Sequence, residues 1–146
     1  MSSYVLAQPY MDAVSALQSE AGNWLSIGDG LDSLAFEFDL ALGGGNVTGA
    51  VQVEYTAQLN GTMPAVGTRF LLSASALHTT LTTAALSLAP DPSLEVTLTA
   101  VTTGRFAIVL GPVPAGNIRC NYVYTSGDGA APNSVTCWAI GWGRGR

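Results

Sequence analysis

Two stretches of strict alternation joined by a glycine-rich turn constrain this chain more than any other feature. From Ser33 to Leu42, apolar residues fall on every second position: Leu34, Phe36, Phe38, Leu40 and Leu42, with Glu37 and Asp39 between them. From Val47 to Leu59 the pattern resumes with Val47, Val51, Val53, Tyr55 and Leu59. Side chains of a strand point alternately to its two faces, so each stretch reads as a strand with one buried face. Gly43-Gly44-Gly45-Asn46 reads as the turn between them, and the two stretches are expected to pair as a hairpin. Symmetric pairing about that turn sets Gln52 opposite Glu37 and Ala50 opposite Asp39.

The same texture continues to the end of the chain. Arg69–Leu77, Thr79–Leu88, Leu94–Thr102, Arg105–Leu110, Asn117–Thr125 and Ser134–Trp142 read as strands. Asn60–Thr68, Pro90-Asp91-Pro92, Gly111–Gly116 and Gly127–Asn133 are rich in Gly, Pro and Asn and read as the loops between them. About eight regularly spaced strands with no helical interludes predict an all-β fold, an antiparallel two-sheet sandwich, with the jelly roll as one topology in that class. The 146 residues suit one domain with a core of its own. The N-terminal portion reads differently. Residues 1–9 are expected to form an extended arm and Met11–Ala21 a short helix, with Asp12 as N-cap, Val14, Leu17 and Ala21 as a stripe and Gly22 as the stop. The expected organisation is therefore an arm and helix over 1–23 and a sandwich over 24–146.

Charge narrows the classes of partner. Only 10% of residues are charged, against about 25% in ordinary soluble domains. There is no Lys, and five Arg against ten carboxylates leave a net charge of −5. Such a chain repels phosphate backbones, so no nucleic-acid partner is expected. So low a charge also gives weak protection against association, which points to a surface covered by partners. The start, Met1-Ser2-Ser3-Tyr4-Val5-Leu6, has no basic segment followed by a long apolar one, so a cytoplasmic product without a signal peptide is expected. Phe70–Pro90 lacks acids, Lys and Arg, but its Ser, Thr and His residues mark strands rather than a membrane span.

The residue types that carry catalysis are few and scattered. His78 is the single histidine and lies among Leu77, Thr79 and Thr80, away from any nucleophile elbow. Glu37, Asp39, Glu54 and Glu95 are the best candidates for a carboxylate pair, yet the expected register brings no two of them together. Asp29, Asp32, Asp91 and Asp128 fall in turns, and Gly28-Asp29-Gly30-Leu31-Asp32 lacks the ligand spacing of a calcium loop. Cys120 and Cys137 are expected opposite each other on a last strand pair, reduced and buried, with a disulfide as the alternative. No catalytic, cofactor-binding or metal-ligating residue is expected, and the chain is read as a non-enzyme.

The aromatic residues are the remaining candidates. On the last strand Trp138, Ile140 and Trp142 share one face, opposite Val135, Cys137 and Ala139. A strand apolar on both faces can turn one to the core and the other to a subunit contact, with core packing of each tryptophan as the alternative. Exposed tryptophans can also stack on sugar rings, with loop residues such as Asp128 and Asn133 supplying hydrogen bonds.

In its extended N-terminus, low charge, Thr/Gly/Ala-rich strands from Val47 to Thr103 and Gly-rich C-terminus, the whole chain resembles the small accessory β-proteins of tailed-phage virions, especially capsid decoration (cement) proteins. The resemblance implies a sandwich that oligomerises, often as a trimer, and clamps neighbouring capsid subunits within the virion. On that reading Tyr4, Val5, Leu6, Pro9 and Tyr10 of the arm, with Trp138 and Trp142, are the expected contacts with a homo-oligomer and a capsid or other virion protein. The alternative is a carbohydrate-binding sandwich on a phage tail or host-recognition protein.

Overall fold

The computed structural model describes residues 3–27, 30–56, 74–79, 85–88, 94–110, 112–113 and 115–144. These form eleven strands: β1 (Ser3–Ser15), β2 (Glu20–Ala21), β3 (Leu25–Ile27), β4 (Ser33–Gly44), β5 (Val47–Thr56), β6 (Ala74–Thr79), β7 (Ala85–Leu88), β8 (Leu94–Val101), β9 (Gly104–Leu110), β10 (Gly116–Gly127) and β11 (Ala130–Arg144). All pairings are antiparallel, in two sheets. One runs β1-β11-β4-β9-β6; the other runs β2-β10-β5-β8-β7, with β3 also on β10.

The alternation read from the sequence is the alternation of burial. Leu34, Phe36, Phe38 and Leu40 turn to the core from β4, and Val47, Val51, Val53 and Tyr55 from β5. Phe106, Ile108 and Leu110 join the first set, and Val96, Leu98, Ile118 and Tyr122 the second. Phe38 stacks on its register partner Phe106, with ring centroids 5.0 Å apart and planes 10° from parallel. Burying one such side chain contributes roughly 1.5–3 kcal/mol, so this double layer of alternating residues supplies the main driving force.

The neighbours differ from those expected. β4 and β5 do not form a hairpin: β4 pairs with β11 and β9, β5 with β10 and β8. Gly45, at φ +73°, and Asn46 carry the chain across the edge of the sandwich, so the two apolar faces oppose each other instead of lying side by side. Gln52 therefore stands opposite Asn121 and Glu95, not Glu37. β10 and β11 are divided between the sheets in the same way, which places Cys120 and Cys137 on different sheets, both free and both buried.

The N-terminal expectation is also revised. Residues 3–10 are extended, but as part of an edge strand along β11. The helix over Met11–Ala21 is absent: Met11–Ser15 complete β1, a turn follows, and Glu20 and Ala21 form β2. Ser15 Oγ accepts from Leu17 N–H and donates to Asn133 Oδ1, each at 3.2 Å, which fixes that turn against β11. The expected strands over 69–88 are represented by β6 and β7. The loop 60–68, the turn at 90–92, Gly28 and Asp29 lie outside the described residues.

Candidate functional site

The pairing of β1 with β11 brings distant expected contacts to one edge of the first sheet. Tyr4 stands across from Gly143, Val5 from Trp142, Leu6 from Gly141 and Pro9 from Trp138. Trp138 and Trp142 are the exposed large hydrophobics among the described residues, at 45% and 44%. They lie four positions apart on one strand, hence on one face, about 13 Å apart along it. Ile140 between them is half-buried, and Ala35 and Val109 continue the apolar face on β4 and β9.

Charged groups border this face beside Trp138. Trp138 pairs with Glu37 of β4, and an open groove beside it is lined by Glu37, Asp39, Arg105 and Thr136. Arg105 Nε lies 3.3 Å from Asp39 Oδ2, with both side chains largely exposed. A solvated pair of this kind contributes at most about 1 kcal/mol.

Tyr10 departs from the expected contact set because it turns inward. Its ring packs against Phe36 with centroids 5.1 Å apart. Its hydroxyl donates to the Asn23 carbonyl at 2.7 Å and accepts from Cys120 N–H at 2.9 Å. A Cβ on Gly22 would collide with that hydroxyl and with the Cys120 carbonyl, so glycine is required where the chain passes Tyr10. Burial raises the phenol's pKa far above its ordinary value. Tyr10 therefore ties the edge strand to the opposite sheet.

The four candidate carboxylates are divided between the outer faces of opposite sheets, two on each. Glu37 and Asp39 lie beside the tryptophans. Glu95 accepts from Gln52 Nε2 at 2.6 Å, and Glu54 lies 2.5 Å from Arg119 Nε. That Glu54–Arg119 pair is buried, and the guanidinium lies over the Trp24 ring at 4.6 Å from its centroid. Sequence reading missed this cluster. The available signal was one acid and one arginine at polar-face positions of two strands, but their pairing depended on a register not yet known.

His78 lies on β6 in register with Ala107. Asp32 sits at the start of β4, its N–H bonded to the Trp142 carbonyl at 2.8 Å. Asp128 and Asn133 lie at the far end of β11 from Trp142, so the structure does not gather them with either exposed tryptophan. Among the described residues no cluster of His, Cys, Asp and Glu is suited to a metal ion, and no helix is long and apolar enough to cross a membrane. Comparison with known protein families, with curated proteins and with solved structures finds no match to this chain.

Proposed function

We propose that this chain is a non-enzymatic structural subunit of a virus particle, a capsid decoration (cement) protein that binds the shell through the β1–β11 side of its sandwich. One observation carries the reading: two exposed tryptophans share a face of β11, directly across from Val5 and Pro9 of β1. Tryptophan is among the residues most enriched at the energetic centres of protein interfaces. With only 10% charged residues and a net charge of −5, the complementary partner is a protein surface rather than nucleic acid.

The strand order supports a jelly-roll reading of the sandwich. The four-strand runs β1-β11-β4-β9 and β3-β10-β5-β8 have the two-sheet pattern of that fold, with β6 and β7 as an insertion between β5 and β8 that extends each sheet by one strand. In this account the N-terminal segment works as a built-in edge strand instead of a free arm. The subunit is made in the host cytoplasm and functions in the virion as a homo-oligomer. Many copies on a symmetric shell turn modest individual contacts into firm attachment through effective concentration.

The test is co-sedimentation with shells, prepared without this protein, of the virus that carries the gene. The wild type is expected to pellet with the shells, and the Trp138→Ala/Trp142→Ala double variant to lose at least tenfold in affinity while keeping its fold. Equal binding by a folded double variant would sink the proposed contact surface.

A second reading draws on the groove beside Trp138. An exposed indole flanked by Glu37, Asp39, Arg105 and Thr136 has the stacking surface and hydrogen-bonding groups that a sugar ring needs. Binding on a glycan array that disappears with Trp138→Ala would favour a carbohydrate-binding module. An array with no signal would count against it.

A further inference from the structure

We infer that Ser3–Gln8 of β1 is a self-pairing edge, and that two copies of this chain join there, antiparallel, about a two-fold axis. The inference goes beyond the virion reading and stands without it, because it rests on how the sheet edges are built.

A free strand edge presents unpaired backbone N–H and C=O groups. Proteins blunt such edges with short strands, charges, proline or bulges. Among the described residues β2, β3 and β7 are edges of two, three and four residues. β6 has six residues and a register shift between Ala74 and Ala76. β1 is the long one, with thirteen residues, and its two halves differ. Pro9–Ser15 carries a proline, Asp12, two register shifts and Ala13 at φ +48°. Ser3–Gln8 has none of these: it runs in unbroken register along Ala139–Arg144 and contains no charged side chain and no proline. Among the described residues, edge protection thus covers one half of β1 and stops at Gln8.

The occupant that fits is a second copy. An isologous antiparallel pairing needs one surface only, and Ser3–Gln8 supplies it on both sides. No register between the two copies sets like charges opposite each other, since the segment carries none. A two-fold axis perpendicular to the sheet keeps outer face with outer face, so the two five-stranded sheets become one of ten strands. Val5 lies across from Trp142, so pairing centred near Val5 sets the two Trp142 residues on the same side, three strand spacings or about 14 Å apart. The joined sheet then presents the tryptophans of both copies on one continuous surface.

The test is light scattering of the purified full chain across a concentration series, with far-UV circular dichroism as the check on folding. The wild type is expected at twice the chain mass. Val5→Lys should shift it to monomer with the β spectrum retained, while Thr99→Lys, at an exposed position of β8, should leave the dimer intact. A wild-type monomer throughout, or a trimer that Val5→Lys leaves assembled, would overturn the inference. If Val5→Lys fails to fold, Val5→Cys decides the matter: mild oxidation should link two chains through that position, and absence of the linked dimer overturns the pairing. The two proposals fail separately. A monomer that coats shells removes the edge pairing and keeps the virion reading, and a dimer that ignores shells does the reverse.

Discussion

Arg119 and Glu54 stand directly across from each other on β10 and β5, their side chains 2.5 Å apart, nearly sealed from solvent and capped by the Trp24 ring. They lie on the polar faces of strands whose other faces form the core, so the pair is buried outside the core proper. Removing one partner leaves a charge without its counterion in a dry site, which typically costs about 3–5 kcal/mol. Arg119→Met is therefore expected to lower unfolding free energy by that amount in urea titration. Removing both charges, as in Glu54→Leu/Arg119→Met, should recover most of it. A single variant as stable as wild type would contradict the role given to the pair.

Two inward tyrosines, Tyr10 and Tyr122, and the two thiols make the sandwich sensitive to alkali. Tyr122 donates to the Ala16 carbonyl at 2.7 Å, and burial pushes its pKa up to about 12. Burial likewise raises Tyr10, Cys120 and Cys137. Each of these groups is neutral when protonated, so a raised pKa means the folded state holds its proton more tightly than the unfolded chain does. The corresponding stability is fully present below the unfolded values, near 9 for the thiols and 10 for the phenols, and is lost as pH climbs above them. The melting temperature should fall progressively above pH 9. Tyr122→Phe should cost about 0.5–1.5 kcal/mol at neutral pH and make the alkaline decline shallower.

Phe38→Ala removes a fully buried ring stacked on Phe106 in the middle of the first sheet. The loss of transfer free energy and the cavity left behind should together cost about 3–5 kcal/mol. Asp39→Ala, which removes only the exposed partner of Arg105, should change stability by less than about 1 kcal/mol. Denaturant melts of the two variants side by side separate core packing from surface charge. Similar losses would contradict the assignment of inner and outer faces.

Trp138→Ala and Trp142→Ala should cost less stability than Phe38→Ala, since both residues are almost half exposed. Each should weaken binding to shells by about 2 kcal/mol if it is an interface anchor. A variant that loses stability and keeps binding would place that tryptophan in the fold and not at the interface.

The strands were legible in the sequence because burial in a sandwich follows period two. Leu34, Phe36, Phe38 and Leu40, read as one face from spacing alone, are all at or below 1% exposure. Their partners were not legible. Alternation states that a strand has a buried face, and a short glycine turn can lead either to a neighbour in the same sheet or to the facing sheet. At Gly45-Asn46 and at Asp128-Gly129 the chain takes the second course, which separated β4 from β5 and β10 from β11. The helix expected over Met11–Ala21 has a related cause. Two register shifts, Pro9/Met11 and Met11/Val14, break the period of β1, so Val14 and Leu17 pack against the core at the three-residue spacing of a helical stripe, while Ala21, the third member of the expected stripe, is exposed. At the candidate surface, the apolar outer face of Trp138 and Trp142 was readable from one strand. Its junction with Val5 and Pro9 required the long-range pairing of the first strand with the last.

If the chain is the decoration subunit proposed, the most direct measurement is its copy number in purified particles of the virus that would carry it, by quantitative mass spectrometry against the major shell protein. A decoration subunit is expected in a fixed, near-integral ratio to the shell protein, and that ratio should fall when Trp138 and Trp142 are both replaced by alanine. Finding the chain only in the soluble fraction of the lysate, with none on the particles, would contradict the virion assignment.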